Sequence, residues 1–253
     1  MSFRRMPLIV AAALLLCLSL GIAPSHASPA QTRVLIIPGQ YVGTAPFSLM
    51  AQNLASRGYP TTVLDLKGFE PRSDARAIAA AVDRERAAHP GAKIALVGHS
   101  IGGMSARWYL KELGGTDKVA TYVAIGAPQY GSSAACTQNV GRDVCPGSAF
   151  LTAINKGDDA PGPTEYFSIR SAREYATGDL DGGQCRVWPI SANESLPAMG
   201  YEHTFEPFDA RVWDAVVASL HGRCAGRFVV DADNSLSYQK SLLPGAPGYR
   251  KLK

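Results

Sequence analysis

The segment KIALVGHSIGGMSARWYL, residues 93–110, sets Ser100 inside Gly98-His99-Ser100-Ile101-Gly102, a G-x-S-x-G pentapeptide between an apolar β-rich run and a helix-like stretch. A strand that turns sharply into a helix lifts a serine hydroxyl above the edge of a sheet, and side chains two positions away would collide with neighbouring backbone. Glycine at 98 and 102 removes that collision. Lys93 to Val97 suits a strand buried on both faces. From Ile101 to Leu113 the chain suits a helix whose first N–H groups point back toward the serine. Ser100 is therefore expected to be a nucleophile.

The remaining sequence alternates in the same way. Strands are expected at Arg33 to Ile37, Thr61 to Leu66, Lys93 to Val97, Val119 to Ile125, Glu165 to Arg170 and Arg186 to Ile190. Helices are expected at Pro46 to Arg57, Asp74 to His89, Ile101 to Leu113 and Phe208 to Leu220. Such alternation predicts an α/β protein with a mostly parallel sheet flanked by helices on both faces. The pattern lapses between 127 and 163 into Gly, Ser, Pro and Asp with two cysteines, an irregular excursion read as a wall or lid over the site. The last thirty residues carry no clear pattern.

The chain ends set its compartment. Arg4 and Arg5, an apolar run from Leu8 to Ile22 and a small-x-small Ser25-His26-Ala27 read as a secretory signal over residues 1–27, leaving one catalytic domain from 28 to 253. The apolar run is shorter than the roughly 20 residues a spanning helix needs, so stable membrane insertion is not expected. The net charge of +4 includes the two signal arginines and is too small a bias for nucleic-acid binding. Beyond Cys17, an even set remains: Cys136, Cys145, Cys185 and Cys224. In an oxidising compartment spacing favours Cys136–Cys145 and Cys185–Cys224 disulfides. Metal binding is the competing use, but no C-x-x-C or paired histidines accompany them.

A nucleophile on this scaffold is followed in chain order by an acid and then a histidine. Of the five histidines, only His203 and His221 lie after Ser100. His203 sits in the loop-like GYEHTFEP and is the expected base; His221 falls at a helix C-terminus. Between the penultimate strand and His203 lie Glu174, Asp179, Asp181, Glu194 and Glu202. Glu174 comes first after the strand and is the expected acid, with Asp179 the alternative. The oxyanion hole should combine the N–H of Ile101 with one from the loop VLIIPGQYVG, at Gln40 or the neighbouring Tyr41.

These features together resemble the small secreted bacterial triacylglycerol lipases of the α/β-hydrolase fold, the class 2 lipases. The resemblance runs from Arg33 to about Leu220, through GHSIGGMSARWYL, APQYGS, CPGSAFL, SIRSAREY and His203. It implies Ser100 as nucleophile, His203 as base, Glu174 as acid, and Gln40 and Ile101 as oxyanion donors. Aspartate usually stands where this chain has Glu174, and His-Gly where it has Pro38-Gly39. The implied protein is a monomer that needs no cofactor or metal and acts on lipid or other esters, including those at a lipid–water interface. Tyr41, Phe47 and Tyr130 suit an acyl chain and equally suit core packing. A short-chain carboxylesterase, polyesterase or thioesterase would use the same triad, whereas a non-catalytic α/β-hydrolase-like binding protein need not keep serine, acid and histidine in order.

Overall fold

Seven strands and six helices carry the alternation into space in a computed structural model that describes residues 31–171, 180, 183–190 and 201–230. In chain order they are β1 (Thr32–Ile37), α1 (Ser48–Ser56), β2 (Thr61–Val63), α2 (Pro71–Ala88), β3 (Lys93–His99), α3 (Ile101–Glu112), β4 (Thr121–Ile125), α4 (Ala149–Ile154), β5 (Glu165–Ser171), β6 (Gln184–Ile190), α5 (Tyr201–Phe205), α6 (Ala210–Leu220) and β7 (Arg227–Val229). The sheet order is β2-β1-β3-β4-β5-β6-β7, parallel except for the antiparallel β6–β7 pair. The expected signal segment lies outside the described residues.

Side chains alternate across a strand, so a strand buried on both faces feeds two cores. Leu35, Ile37, Ile94, Leu96 and Tyr122 pack with Ile78 and Val82 of α2 and Met104 and Leu110 of α3. Their alternates Val34, Ile36, Ala95, Val97 and Val123 pack with Met50 and Leu54 of α1 and Val212 and Val216 of α6. Full burial of each such side chain contributes about 1.5–3 kcal/mol. Helices thus cover both faces, as the pattern predicts.

Several boundaries move for local reasons. β2 stops at Val63, short of Leu66, because it is an edge strand paired with β1 alone. α2 starts at Pro71 in place of Asp74, since a proline at the first helical position loses no hydrogen bond. The 127–163 excursion is less irregular than expected: it holds α4, whose Ser148 Oγ accepts the Leu151 N–H at 3.1 Å. β7 had no counterpart in the sequence reading. Disulfides join Cys136 to Cys145 and Cys185 to Cys224.

Candidate active site

Chain direction brings the site to one end of the sheet. β3 delivers His99 and Ser100, and α3 begins at the next residue. Ser100 has a φ of 54°, in the left-handed region that costs a non-glycine residue about 1–3 kcal/mol. The flanking glycines make that turn possible. A Cβ on Gly98 would lie 2.5 Å from the Gly103 Cα, and one on Gly102 would lie 2.3 Å from the Pro38 carbonyl oxygen. The first-strand loop is equally tight against the serine, because a Cβ on Gly39 would approach the Ser100 Cβ to 2.9 Å.

α5 and the single turn after it bring the base. His203 Nε2 is 2.9 Å from Ser100 Oγ, across 103 positions of sequence. Its other nitrogen, Nδ1, is 3.1 Å from Glu206 Oε2. A carboxylate can only accept, so Nδ1 carries the proton and Nε2 accepts the serine O–H. That is the tautomer a general base requires.

The carboxylate seen on the base is thus Glu206, which was not among the carboxylates singled out from sequence. Glu174 and Asp179 lie outside the described residues. Glu206 follows the histidine in the chain, whereas the expected order puts the acid before it. A local signal did exist: residues three apart on a helical turn share a face, and His203 and Glu206 have that spacing. His221 is occupied elsewhere, with Nε2 2.9 Å from the Tyr59 hydroxyl.

Glu206 is 5% exposed and carries a second contact, 3.4 Å from its Oε2 to His99 Nε2. Burial works to raise its pKa, but hydrogen bonds from His203 and His99 outweigh it and hold the carboxyl below its ordinary range. His99 is pushed the other way from a charged state: burial, the largest influence, lowers its pKa and keeps the ring neutral. The two imidazoles stack with centroids 4.7 Å apart and planes 22° from parallel.

His99, His203 and Glu206 offer ligand-type atoms within 4.8 Å of one another. Stacked rings point their nitrogen lone pairs side by side, whereas a zinc ion needs them to converge at about 2.0–2.1 Å. The cluster is arranged for hydrogen bonding and proton transfer.

Ile101 is the first residue of α3, and its N–H is one of the four that helix geometry leaves without an intrahelical partner. In the facing loop the Tyr41 N–H is directed to the Lys67 carbonyl at 3.4 Å. The partly buried Gln40 side chain turns to the 127–163 excursion, its Nε2 donating to the Val140 carbonyl at 2.9 Å. Of the aromatic residues expected at the mouth, Tyr41 is 70% exposed, whereas Phe47 and Tyr130 are buried. Tyr130 instead donates its hydroxyl to Asp159 at 2.7 Å.

Comparison with known proteins supports the same architecture. A family profile described as the alpha/beta hydrolase fold matches residues 32–141. No curated protein matches the chain in sequence. Among solved structures, the mature form of the Bacillus licheniformis lipase BlEst2 superposes with a TM-score of 0.51 at 18% identity, over 88% of this chain and 83% of that one. Its propeptide form matches 61% of this chain at TM-score 0.51 and 20% identity, and the match spans only 38% of that longer protein. A cutinase-like protein from a Cryptococcus species matches at TM-score 0.50 and 16% identity, over 79% of this chain and 98% of that one.

Proposed function

We propose that this α/β-hydrolase-fold chain is a secreted serine ester hydrolase, a triacylglycerol lipase, with Ser100 as nucleophile, His203 as general base and Glu206 as the acid. The observation that carries the reading is the 2.9 Å contact between Ser100 Oγ and His203 Nε2 at a strained strand-to-helix turn. His203 takes the serine proton as Oγ attacks the ester carbonyl. Glu206 holds the imidazolium that forms, and the N–H groups of Ile101 and Gln40 receive the oxyanion. Collapse of the tetrahedral intermediate breaks the C–O bond to the leaving alcohol, which takes the proton from His203. Water then adds to the acyl-enzyme with His203 again as base, releasing the acid and restoring Ser100.

Lipid esters are favoured by exposed rings close in sequence to the triad and the proposed oxyanion donor. Tyr41 follows the proposed oxyanion donor, and Phe205 and Phe208 follow His203; they are 70%, 47% and 42% exposed. Exposed apolar rings on the segments that carry the base and the oxyanion donor suit an acyl chain. Two disulfides agree with export to an oxidising compartment, and among the described residues no helix is long and apolar enough to cross a membrane. The protein is proposed to act as a monomer, without metal or cofactor.

Labelling by a fluorophosphonate probe, lost in Ser100→Ala, tests the nucleophile; retained labelling in that variant overturns it. A series of p-nitrophenyl esters from acetyl to palmitoyl, followed by emulsified triglyceride, tests the substrate. Activity confined to the shortest esters would replace the lipase by a short-chain carboxylesterase, and activity on a polyester or thioester alone by a polyesterase or thioesterase.

A further inference from the structure

We infer that His99, the residue before the nucleophile, is a positioning residue that holds the base and its carboxylate together through one N–H of a permanently neutral ring. The inference rests on the proposed roles of His203 and Glu206. His99 is 2% exposed and lies between Phe47, whose ring centroid is 5.5 Å away, and His203 at 4.7 Å. Its Nε2 is 3.0 Å from the His203 carbonyl oxygen and 3.4 Å from Glu206 Oε2. Both partners only accept, so Nε2 must carry the proton and donate to them.

The sequence around the base explains why such a donor is needed. In a helical turn the His203 carbonyl would accept from the residue four positions on, which is Pro207. Proline has no N–H. His99, from a strand more than a hundred residues earlier, fills the place of that missing donor. Its face also sets the plane of the His203 ring, because the two rings are stacked.

Neutrality follows from the other side of the ring. His99 Nδ1 is buried and has no hydrogen-bond partner among the described residues. A Cβ on Gly39 would come within 2.9 Å of it, so the first-strand loop closes that side. Protonation would bury an N–H without an acceptor beside the imidazolium that catalysis must form. The elements packed on the 206–208 turn add little charge. Residues 45–47 and α1 have no charged side chain; on α6, Asp209 at its start is paired with Arg211 at 2.5 Å and Asp214 with Arg57 at 2.7 Å. Among the described side chains, Glu206 is therefore the charge that His203 and His99 share.

The test uses the full-length protein with His99→Phe, which keeps a flat ring and loses the donor, and His99→Gln, which loses the ring and keeps an amide N–H near the place of Nε2. On a p-nitrophenyl ester, His99→Phe should lower kcat by about 10- to 100-fold while KM stays within about two-fold. His99→Gln should recover most of the loss. Losing the donor concentrates the Glu206 charge on His203, so the acid limb of kcat/KM in His99→Phe should move up by about half a pH unit or more. A merely structural role would not move it. His99→Phe with wild-type kcat and limb, or His99→Gln no better than His99→Phe, overturns the inference.

Imidazole Cε1–H resonances of the wild-type protein give a reading that depends on neither the variants nor activity. His99 should not titrate between about pH 8 and pH 5, and a titrating His99 overturns the inference by itself. Absence of ester hydrolysis and of Ser100 labelling in the wild type would instead count against the proposed function.

Discussion

Two buried polar clusters, one midway along α3 and one beside the turn that precedes it, are built in opposite ways. Arg107, midway along the helix, is fully buried, and its guanidinium is saturated. Nε donates to the Asp159 carbonyl at 3.2 Å, Nη1 to Asn155 at 2.7 Å and Gln129 at 3.3 Å, and Nη2 to the Ile154 carbonyl at 3.2 Å and to the Asp159 carboxylate. Where β3 ends, ahead of that helix, the cluster of His99 with His203 and Glu206 leaves His99 Nδ1 and Glu206 Oε1 without partners among the described residues. A satisfied network fixes the chain: Arg107 ties Gln129, Ile154, Asn155 and Asp159 of the 127–163 excursion to α3. An unsatisfied one costs stability and persists where protons must move.

Breaking the second cluster should have the largest effect. Glu206→Gln should lower kcat by up to about 10,000-fold, as loss of the charge behind a catalytic imidazole does elsewhere. Glu174→Gln made alongside should leave activity within several-fold, and the reverse ranking in an ester assay would move the acid to Glu174. Breaking the first cluster should act on stability. Arg107→Met takes the buried guanidinium from the Asp159 carboxylate, leaving it the Tyr130 hydroxyl and Lys111 at 3.9 Å, and should cost about 3–5 kcal/mol in urea unfolding, with kcat of the folded fraction little changed. A large loss of kcat at unaltered stability would show that the excursion serves catalysis directly.

The smallest effect sharpens the contrast through pH. His99 has a lowered pKa when folded, so below the unfolded value of 6.5 the unfolded chain binds the extra proton and stability falls as pH falls. The loss should be about 1.4 kcal/mol per pH unit for as long as the folded ring stays neutral. Glu206 is also lowered; its stabilisation is present above the unfolded value of 4.5 and disappears as pH drops through the folded one. Thermal melts from neutral to mildly acidic pH should therefore show a decline that flattens in His99→Gln. An equal decline in that variant would place the acid sensitivity elsewhere.

The parts of the site that were legible in the sequence are those set by short-range geometry. Gly98 and Gly102 bracket Ser100 because of contacts within one turn, and apolar runs with β-rich composition mark strands whatever their neighbours. His203 was found from chain order, which the topology of the fold preserves. Glu206 was missed because the same order rule looked for an acid only upstream of the histidine. The i, i+3 spacing of His203 and Glu206 was visible, but nothing local distinguishes it from any polar pair on a helical turn. Phe47 and Tyr130 could not be assigned to mouth or core, since both environments accept an aromatic ring.

The sequence by itself determined that the chain alternates strands and helices around a parallel sheet, and that Ser100 stands on a glycine-bracketed turn between two of them. Backbone dihedrals and side-chain periodicity are local properties, written within a few residues. Tertiary structure decided which histidine reaches Ser100, which carboxylate stands behind it, and that His99 supplies the donor Pro207 lacks. His203 meets Ser100 and His99 across about a hundred positions, while Glu206 stands only three from it, and burial makes each hydrogen bond among them matter: its partners can be counted only once the sheet has placed β3 beside the segment that carries His203.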